Sequence, residues 1–154
     1  MVYILIVIAF VLAEHKMKDY IEKNRKLGER QEILNGRIII RKQYNKGAML
    51  NFMDDKKEIV KTVSGACLGL LALLFAVTLP KKGNRVYKLG LSLMLGGAIS
   101  NVFDRYNRGY VIDYFTINYK KLKSVIFNMA DMAIFFGSLF VMLSAVLHPR
   151  RHED

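Results

Sequence analysis

Residues 124–147, SVIFNMADMAIFFGSLFVMLSAVL, form an apolar run of 24 residues in which Asp131 is the single charged side chain. This length suffices for a helix that crosses the hydrocarbon core of a bilayer, which takes about 20 residues. Counted from Ser124, Asp131 is expected about 10–12 Å along the helix axis. An unpaired carboxylate there costs roughly 3 kcal/mol or more, so such residues usually face a bundle interior and have a function. A structural polar contact between helices is the alternative role.

Three further uncharged, apolar runs precede this one, at residues 1–13, 62–79 and 89–103. Lysines at the ends of the first and third runs can extend them, because a lysine stem lies along apolar surface while its ammonium reaches the interface. A cleaved signal peptide is the alternative for the first run, but no positively charged segment precedes it, so a retained span is favoured. The runs predict an all-α membrane protein, a four-transmembrane-helix bundle with spans at about 1–20, 60–79, 86–103 and 124–147.

A long polar region separates the first two predicted spans. Its charged first half, residues 20–34, predicts a short interfacial helix. The dipeptide Asn35-Gly36 is typical of a two-residue hairpin turn, and the β-branched run at residues 37–41 follows it. The polar loop 21–59 is therefore expected to form a small β-sheet, with the interfacial helix, over one face of the membrane.

Composition narrows the class of partner. Hydrophobic residues make up 53% of the 154 residues and charged residues 24%, which suits apolar helices joined by charged loops in one integral membrane domain, 1–154. The net charge of +11 fits nucleic acid, anionic lipid or an acidic partner. The apolar runs favour membrane lipid, and no nucleic-acid-binding fold is visible, so no nucleic-acid partner is expected. The single cysteine and the three scattered histidines lack metal-ligand spacing, so no metal or cofactor is expected.

A second acid, Asp113, lies in the mostly apolar segment 109–115, GYVIDYF. Such a segment is expected to fold back onto the bundle, where Asp113 can meet Asp131 at the membrane boundary. Two carboxyl groups forced together in a low-dielectric site cannot both ionise, so one keeps a proton and the other acts as a base. The pair can activate a water and protonate a leaving amine, which is peptide hydrolysis without a metal or a covalent nucleophile. A proton or ion conductor would use buried acids of the same kind.

Three segments resemble, in order, motifs of the lipoprotein signal peptidase (signal peptidase II) family. They are residues 96–105 (GGAISNVFDR), 109–114 (GYVIDY) and 127–131 (FNMAD). Two weaker resemblances lie nearer the amino terminus, in residues 45–52 (NKGAMLNF) and 14–18 (EHKMK). In these two, Met49 stands in place of an alanine and Glu14 in place of an aspartate, so the chain resembles a divergent member.

The resemblance implies an intramembrane aspartyl endopeptidase that removes signal peptides from diacylglyceryl-modified prolipoproteins, cleaving before the lipidated cysteine. A catalytically silent relative that binds lipoproteins or signal peptides is the alternative. The resemblance implies Asp113 and Asp131 as the catalytic pair. The residues implied to orient the pair or bind substrate are Asn45, Asn101, Asp104, Arg105 and Asn128. Those implied as structural support are Glu14, Lys18, Gly97 and Gly109.

The resemblance also implies a monomer in the plasma membrane, with both termini cytoplasmic and the site at the outer face. The distribution of Lys and Arg favours the reverse orientation. The two segments implied to lie outside, 14–61 and 104–123, hold 13 and 5 of them, against 4 and 2 in 80–88 and 148–154. We follow the motifs, because cutting exported lipoproteins requires an outward site. The basic outer segments are then expected to bind anionic headgroups or an acidic substrate segment.

Overall fold

The protein is mostly helical, with one small antiparallel sheet. The computed structural model describes residues 1–47 and 56–147. In chain order these form α1 (Val2–Asn24), β1 (Arg30–Ile33), β2 (Ile38–Asn45), α2 (Lys57–Thr78), α3 (Arg85–Asn107), β3 (Val111–Ile117), a 3₁₀ turn (Lys120–Ser124) and α4 (Met129–Leu147). The expected helical class with a small sheet is confirmed.

Three of the helices, α2, α3 and α4, are long and apolar enough to cross a membrane. Large apolar side chains on α2 and α4 point away from the rest of the protein, Leu70 and Val146 among them. Outward-facing apolar surface on this scale is typical of helices that lie in lipid. α1 has 23 residues, but its second half carries the buried Glu14 and Lys18, so its purely apolar part is shorter.

α3 is the central helix and packs against α1, α2 and α4. Glycines stand where α3 and α4 come closest. A Cβ on Gly97 would lie 2.5 Å from the carbonyl oxygen of Ala130, and a Cβ on Gly90 would lie 2.6 Å from that of Gly137. Backbones this close leave no room for a side chain, which is why small residues line such contacts in membranes. The close contact sets the polar end of α3 beside the start of α4.

The sheet has the order β1-β2-β3, and all its pairs are antiparallel. Leu34, Asn35 and Gly36 all have positive φ in the tight turn between β1 and β2, which confirms the predicted hairpin. β3, which the sequence did not predict as a strand, pairs along β2 with Asn45 opposite Val111. The sheet therefore joins two segments that lie on either side of α2 and α3 in the chain.

The prediction of an interfacial helix over residues 20–34 is wrong. α1 continues to Asn24, Gly28 adopts a φ of +80° in the connection, and β1 follows. The spacing of the charged residues in this region favours neither a helix nor a strand. Pairing with β2 decides the strand, because it supplies backbone hydrogen-bond partners that an isolated short helix lacks.

The last helix starts later than residue 124, where the apolar run begins. Before α4, the chain runs antiparallel to β3: the N–H of Phe127 donates to the carbonyl of Phe115 at 2.7 Å, and the N–H of Tyr114 donates to the carbonyl of Phe127 at 2.9 Å. Residues committed to these bonds cannot also form a helical turn. Asp131 thus lies in the first turn of α4, at the end of the bundle, rather than two turns inside it.

Candidate active site

Asp113 projects from β3 into the interior and is 4% exposed. Its Oδ2 accepts a hydrogen bond from Asn45 Nδ2 at 3.0 Å, and its Oδ1 accepts one from Asn128 Nδ2 at 2.7 Å. Asn45 reaches it because Gln43 lies directly opposite Asp113, so that Asn45 is the diagonal neighbour on the same face of the sheet. Burial, and then the charge of Asp131, raise the pKa of Asp113 to about 7 against the opposing effect of the two amides. This carboxyl therefore exchanges its proton near neutral pH.

Asp131 is held by the residues that begin α4. Its backbone N–H donates to Asn128 Oδ1 at 2.9 Å, and its Oδ2 accepts from the Asn128 N–H at 3.1 Å. This reciprocal pair is a capping box, which satisfies backbone donors that have no partner inside the helix. The other carboxylate oxygen, Oδ1, accepts from Asn101 Nδ2 at 2.9 Å. Both oxygens of Asp131 are thus oriented by amides.

Asn128 contacts both acids, although they are 18 residues apart in the chain. Its side-chain N–H binds Asp113, while its side-chain oxygen and backbone N–H bind Asp131. The strand-like segment 125–127 places Asn128 there, since it is paired to the residues that follow Asp113. The two carboxyl groups therefore meet around one asparagine at the boundary between sheet and bundle.

Lys18 is fully buried and fastens α1 to α3. Its Nζ lies 2.9 Å from Asp104 Oδ2 and donates to Ser100 Oγ at 3.0 Å and to Asn101 Oδ1 at 2.9 Å. A buried ammonium needs partners of this kind to offset its desolvation. Because Lys18 occupies the oxygen of the Asn101 amide, the nitrogen of that amide faces Asp131.

Glu14 and Tyr114 cap the first turn of α4 from two other elements. The Tyr114 hydroxyl donates to Glu14 Oε2 at 2.7 Å and accepts from the Met129 N–H at 3.1 Å. The Ala130 N–H donates to Glu14 Oε1 at 3.3 Å. A carboxylate is favoured at this helix end by the helix dipole. Burial, above all, raises the pKa of Tyr114, so its hydroxyl stays protonated and can donate.

Tyr114 was not among the predicted site residues. The only signal for it in the sequence is an aromatic residue directly after a candidate acid, and such a residue is usually core. Its hydroxyl acquires a role only because α1 passes nearby with Glu14. Three separate elements, α1, β3 and α4, contribute to this one cap.

The remaining predicted residues lie around this centre. Asp104 pairs with Lys18 and accepts from Arg108 Nε at 3.1 Å, so it belongs to the ion-pair group beneath Asn101. Arg105 donates to the carbonyl of Gly47 at 3.2 Å and so faces the end of β2. Gly109 has a φ of +78°, which glycine adopts without strain, in the turn from α3 into β3. Of the weak motif at residues 45–52, positions 48–52 lie outside the described residues.

A buried and a half-buried carboxyl group near one another, one of which titrates around neutrality, can hold one proton between them. Such a pair can take a proton from a water and deliver another to a leaving group. The amides of Asn45, Asn101 and Asn128 keep the carboxyl oxygens in place. The geometry is therefore suited to acid–base hydrolysis.

Comparison with known proteins identifies the family. The family model described as Signal peptidase (SPase) II matches residues 6–147. The lipoprotein signal peptidase of Lactobacillus johnsonii is 30% identical over 141 residues, which cover 92% of this chain and 89% of that protein. That of Dichelobacter nodosus is 31% identical over 149 residues, covering 96% and 95%. A bacterial membrane enzyme solved by the in meso method at 2.3 Å resolution has the same fold, with a TM-score of 0.84, 22% identity, and coverage of 99% of this chain and 92% of its own. This multi-pass membrane protein therefore belongs to the signal peptidase II family of peptidases.

Proposed function

We propose that the protein is an intramembrane aspartyl endopeptidase that removes signal peptides from diacylglyceryl-modified prolipoproteins, cleaving before the lipidated cysteine. The observation that carries this proposal is the contact of Asn128 with both Asp113 and Asp131. Membership of the signal peptidase II family supports removal of signal peptides from lipoproteins. The meeting of the buried Asp113 with the half-buried Asp131 supports the aspartyl chemistry.

The reaction uses a water held between the two carboxyl groups. The ionised carboxyl takes a proton from this water, and the water oxygen attacks the carbonyl carbon of the scissile peptide bond. The protonated carboxyl, a role that suits Asp113, gives its proton to the carbonyl oxygen. The intermediate then collapses: the C–N bond breaks, the amine nitrogen takes up the proton that the first carboxyl removed from water, and the second carboxyl recovers its own.

The position of the pair suits a substrate that carries acyl chains. Asp131 lies in the first turn of an apolar helix and Asp113 on the adjoining sheet. A peptide bond can reach this boundary while the diacylglyceryl chains next to it stay in lipid. We expect Asn45 and Arg105, at the edge of the group, to bind the substrate backbone, and Glu14 and Lys18 to support the pair from α1.

Cleavage of a synthetic lipobox peptide with a diacylated cysteine tests the proposal, with the non-acylated peptide as the control. The wild-type protein should cleave the acylated peptide. Asp113→Asn and Asp131→Asn should each lower kcat/KM by about 100-fold or more, because loss of a general acid or base costs this much. Both variants should keep the thermal unfolding midpoint of the wild type within a few degrees.

Three results would contradict the proposal. Cleavage of neither peptide by the wild type would favour a silent relative that binds lipoproteins or signal peptides. Full activity in either Asp→Asn variant would show that the substituted acid takes no part in the reaction. Equal cleavage of both peptides would show that the enzyme does not recognise the lipid on the cysteine.

A further inference from the structure

A basic pocket lies where α2 begins and α3 ends, on the same side of the bundle as Asp113 and Asp131. Among the residues that the structure describes, four cations line it, Lys46, Lys57, Lys61 and Arg105, against one acid, Glu58. Such an excess of positive charge in a concave surface favours an anionic ligand.

Among residues 1–47 and 56–147, the three lysines of the pocket have no ion-pair partner, whereas Arg105 lies near enough to Asp131, Asp113 and Asp104 to be stabilised by their charges. The Nε of Arg105 is buried and, in the same ranges, has no hydrogen-bond partner. A buried donor on a charged group is costly without a partner. An anion in the pocket would pair with the ammonium groups of the lysines that line it.

The wall of the pocket is held by packing. The Tyr106 side chain lies against α2 so closely that a Cβ on Gly65 would be 2.8 Å from its hydroxyl oxygen. Lys61 Nζ lies 4.5 Å from the centroid of the Tyr106 ring, in the range of a cation–π contact. The ammonium of Lys61 is therefore kept at the pocket.

The same face of α2 continues from the pocket as a groove of small, exposed residues. Residues three or four apart lie above one another on a helix, so Lys61 is followed along this face by Gly65, Gly69, Ala72 and Ala76. Gly69, Ala72 and Ala76 are exposed, and a Cβ on Gly69 would have no atom within 4 Å. α2 is one of the helices long and apolar enough to cross a membrane, so we expect this groove to face lipid.

We propose that the pocket binds the phosphate of an anionic phospholipid whose acyl chain passes Tyr106 and lies in the groove formed by Gly69, Ala72 and Ala76. A phosphate accepts from several cations at once, and the membrane supplies such headgroups at the end of a spanning helix. A water-soluble anion would use the pocket but not the groove. The site does not depend on the peptidase proposal, since it lies on different side chains apart from Arg105. Lipid binding at this site would also account for the basic residues on the side of the bundle that carries the acid pair.

Binding of dioctanoyl phosphatidylglycerol to the purified, delipidated full chain, counted by native mass spectrometry, tests the site. The wild type should bind it about tenfold or more tightly than dioctanoyl phosphatidylcholine. The double variant Lys57→Gln/Lys61→Gln should lose about tenfold of the affinity for phosphatidylglycerol. The matched control is Lys81→Gln/Lys82→Gln, which removes the same charge at the opposite end of α2 and should leave the affinity unchanged.

A second variant, Ala72→Trp, fills the groove without changing charge. Because residue 72 is exposed, the helix tolerates the larger side chain, and the affinity for phosphatidylglycerol should fall several-fold. This variant also tests lipid binding if the lysine double variant fails to fold.

Several outcomes would overturn the proposal. Equal losses in the two lysine double variants would mean diffuse attraction to a basic protein. Equal binding of the two lipids would show that the site does not distinguish an anionic headgroup from a zwitterionic one. Displacement of phosphatidylglycerol by an equal concentration of inorganic phosphate, or no effect of Ala72→Trp, would mean a site for soluble anions. Displacement by an equal concentration of an acidic peptide would mean a peptide site.

Discussion

At the scale of single residues, Asn128 has two separable tasks. It caps α4 through its side-chain oxygen, and it binds Asp113 through its side-chain nitrogen. Asn128→Ser keeps a cap, since serine is a good N-cap residue, but serine is too short to replace the contact with Asp113. Asn128→Ala loses both contacts.

We predict that both Asn128 variants lose most of the peptidase activity, while only Asn128→Ala loses about 1 kcal/mol of stability through the missing cap. Peptide cleavage and chemical unfolding of the purified variants measure the two effects. Wild-type activity in Asn128→Ser would show that the asparagine serves only the helix end.

The pKa of Asp113, raised from 3.8 to about 7, predicts a pH dependence. Below pH 7 the folded protein keeps the Asp113 proton that the reaction needs, and above it Asp113 loses this proton. The value of kcat/KM for the acylated peptide should therefore fall as pH rises through about 7. A profile that stays flat from pH 6 to pH 9 would contradict this.

The same shift predicts how stability changes with pH. Between about pH 4 and pH 7 the folded state holds a proton that the unfolded chain has released, so the free energy of unfolding falls as pH rises across this window. In Asp113→Asn, which does not titrate, the fall should be smaller. Unfolding midpoints of wild type and variant, measured over this range, compare the two.

The hydroxyl of Tyr114 should matter although it touches neither reacting acid. Tyr114→Phe leaves Glu14 Oε2 and the Met129 N–H each without its hydrogen-bond partner, at a cost of about 1–3 kcal/mol. Because α4 begins with these groups, we expect kcat to fall several-fold with KM nearly unchanged. Tyr119→Phe, at a tyrosine that is 59% exposed, is the control and should behave as wild type. An unchanged kcat in Tyr114→Phe would show that the hydroxyl does not contribute to activity and that the tyrosine serves only in packing.

At the scale of secondary-structure elements, the contact between α3 and α4 sets the distance between Asn101 and Asp131. Gly97→Ala would place a methyl group 2.5 Å from the Ala130 carbonyl oxygen, so the helices must separate. We predict a loss of about 1–3 kcal/mol of stability, together with reduced activity.

Gly69→Ala is the matched control for this change, because nothing lies within 4 Å of a Cβ there. It should be neutral or slightly stabilising, since alanine favours a helix more than glycine does. Equal destabilisation by both alanines would mean that the loss at Gly97 does not come from the contact with α4.

Prediction of the elements from sequence succeeded where the signal is local. The apolar runs located the helices, and Asn35-Gly36 located the hairpin turn. β3 and the late start of α4 were missed, because the pairing of β3 with β2 and with residues 125–127 depends on segments distant in the chain. Periodicity within one segment does not report such pairing.

At the scale of the whole molecule, we propose four spans with both termini in the cytoplasm. In this arrangement the acid pair and the basic pocket face outward, against the distribution of Lys and Arg. A reporter that is active only outside the cytoplasm, fused after Asp154, should be inactive. The same reporter inserted in the connection between β1 and β2 should be active. The reverse pattern would overturn the proposed orientation.

By itself, the sequence determined the apolar helices, the hairpin turn and the family resemblance, because each depends on composition, spacing or motifs within a short segment. The candidate acids and amides of the site lie in those motifs. Only the tertiary structure decided which of these groups meet. Glu14 contacts the Ala130 N–H across 116 residues, and Asn45 contacts Asp113 across 68. Contacts over such separations arise from helix packing and strand register, which bring the partners together only once the whole chain has folded.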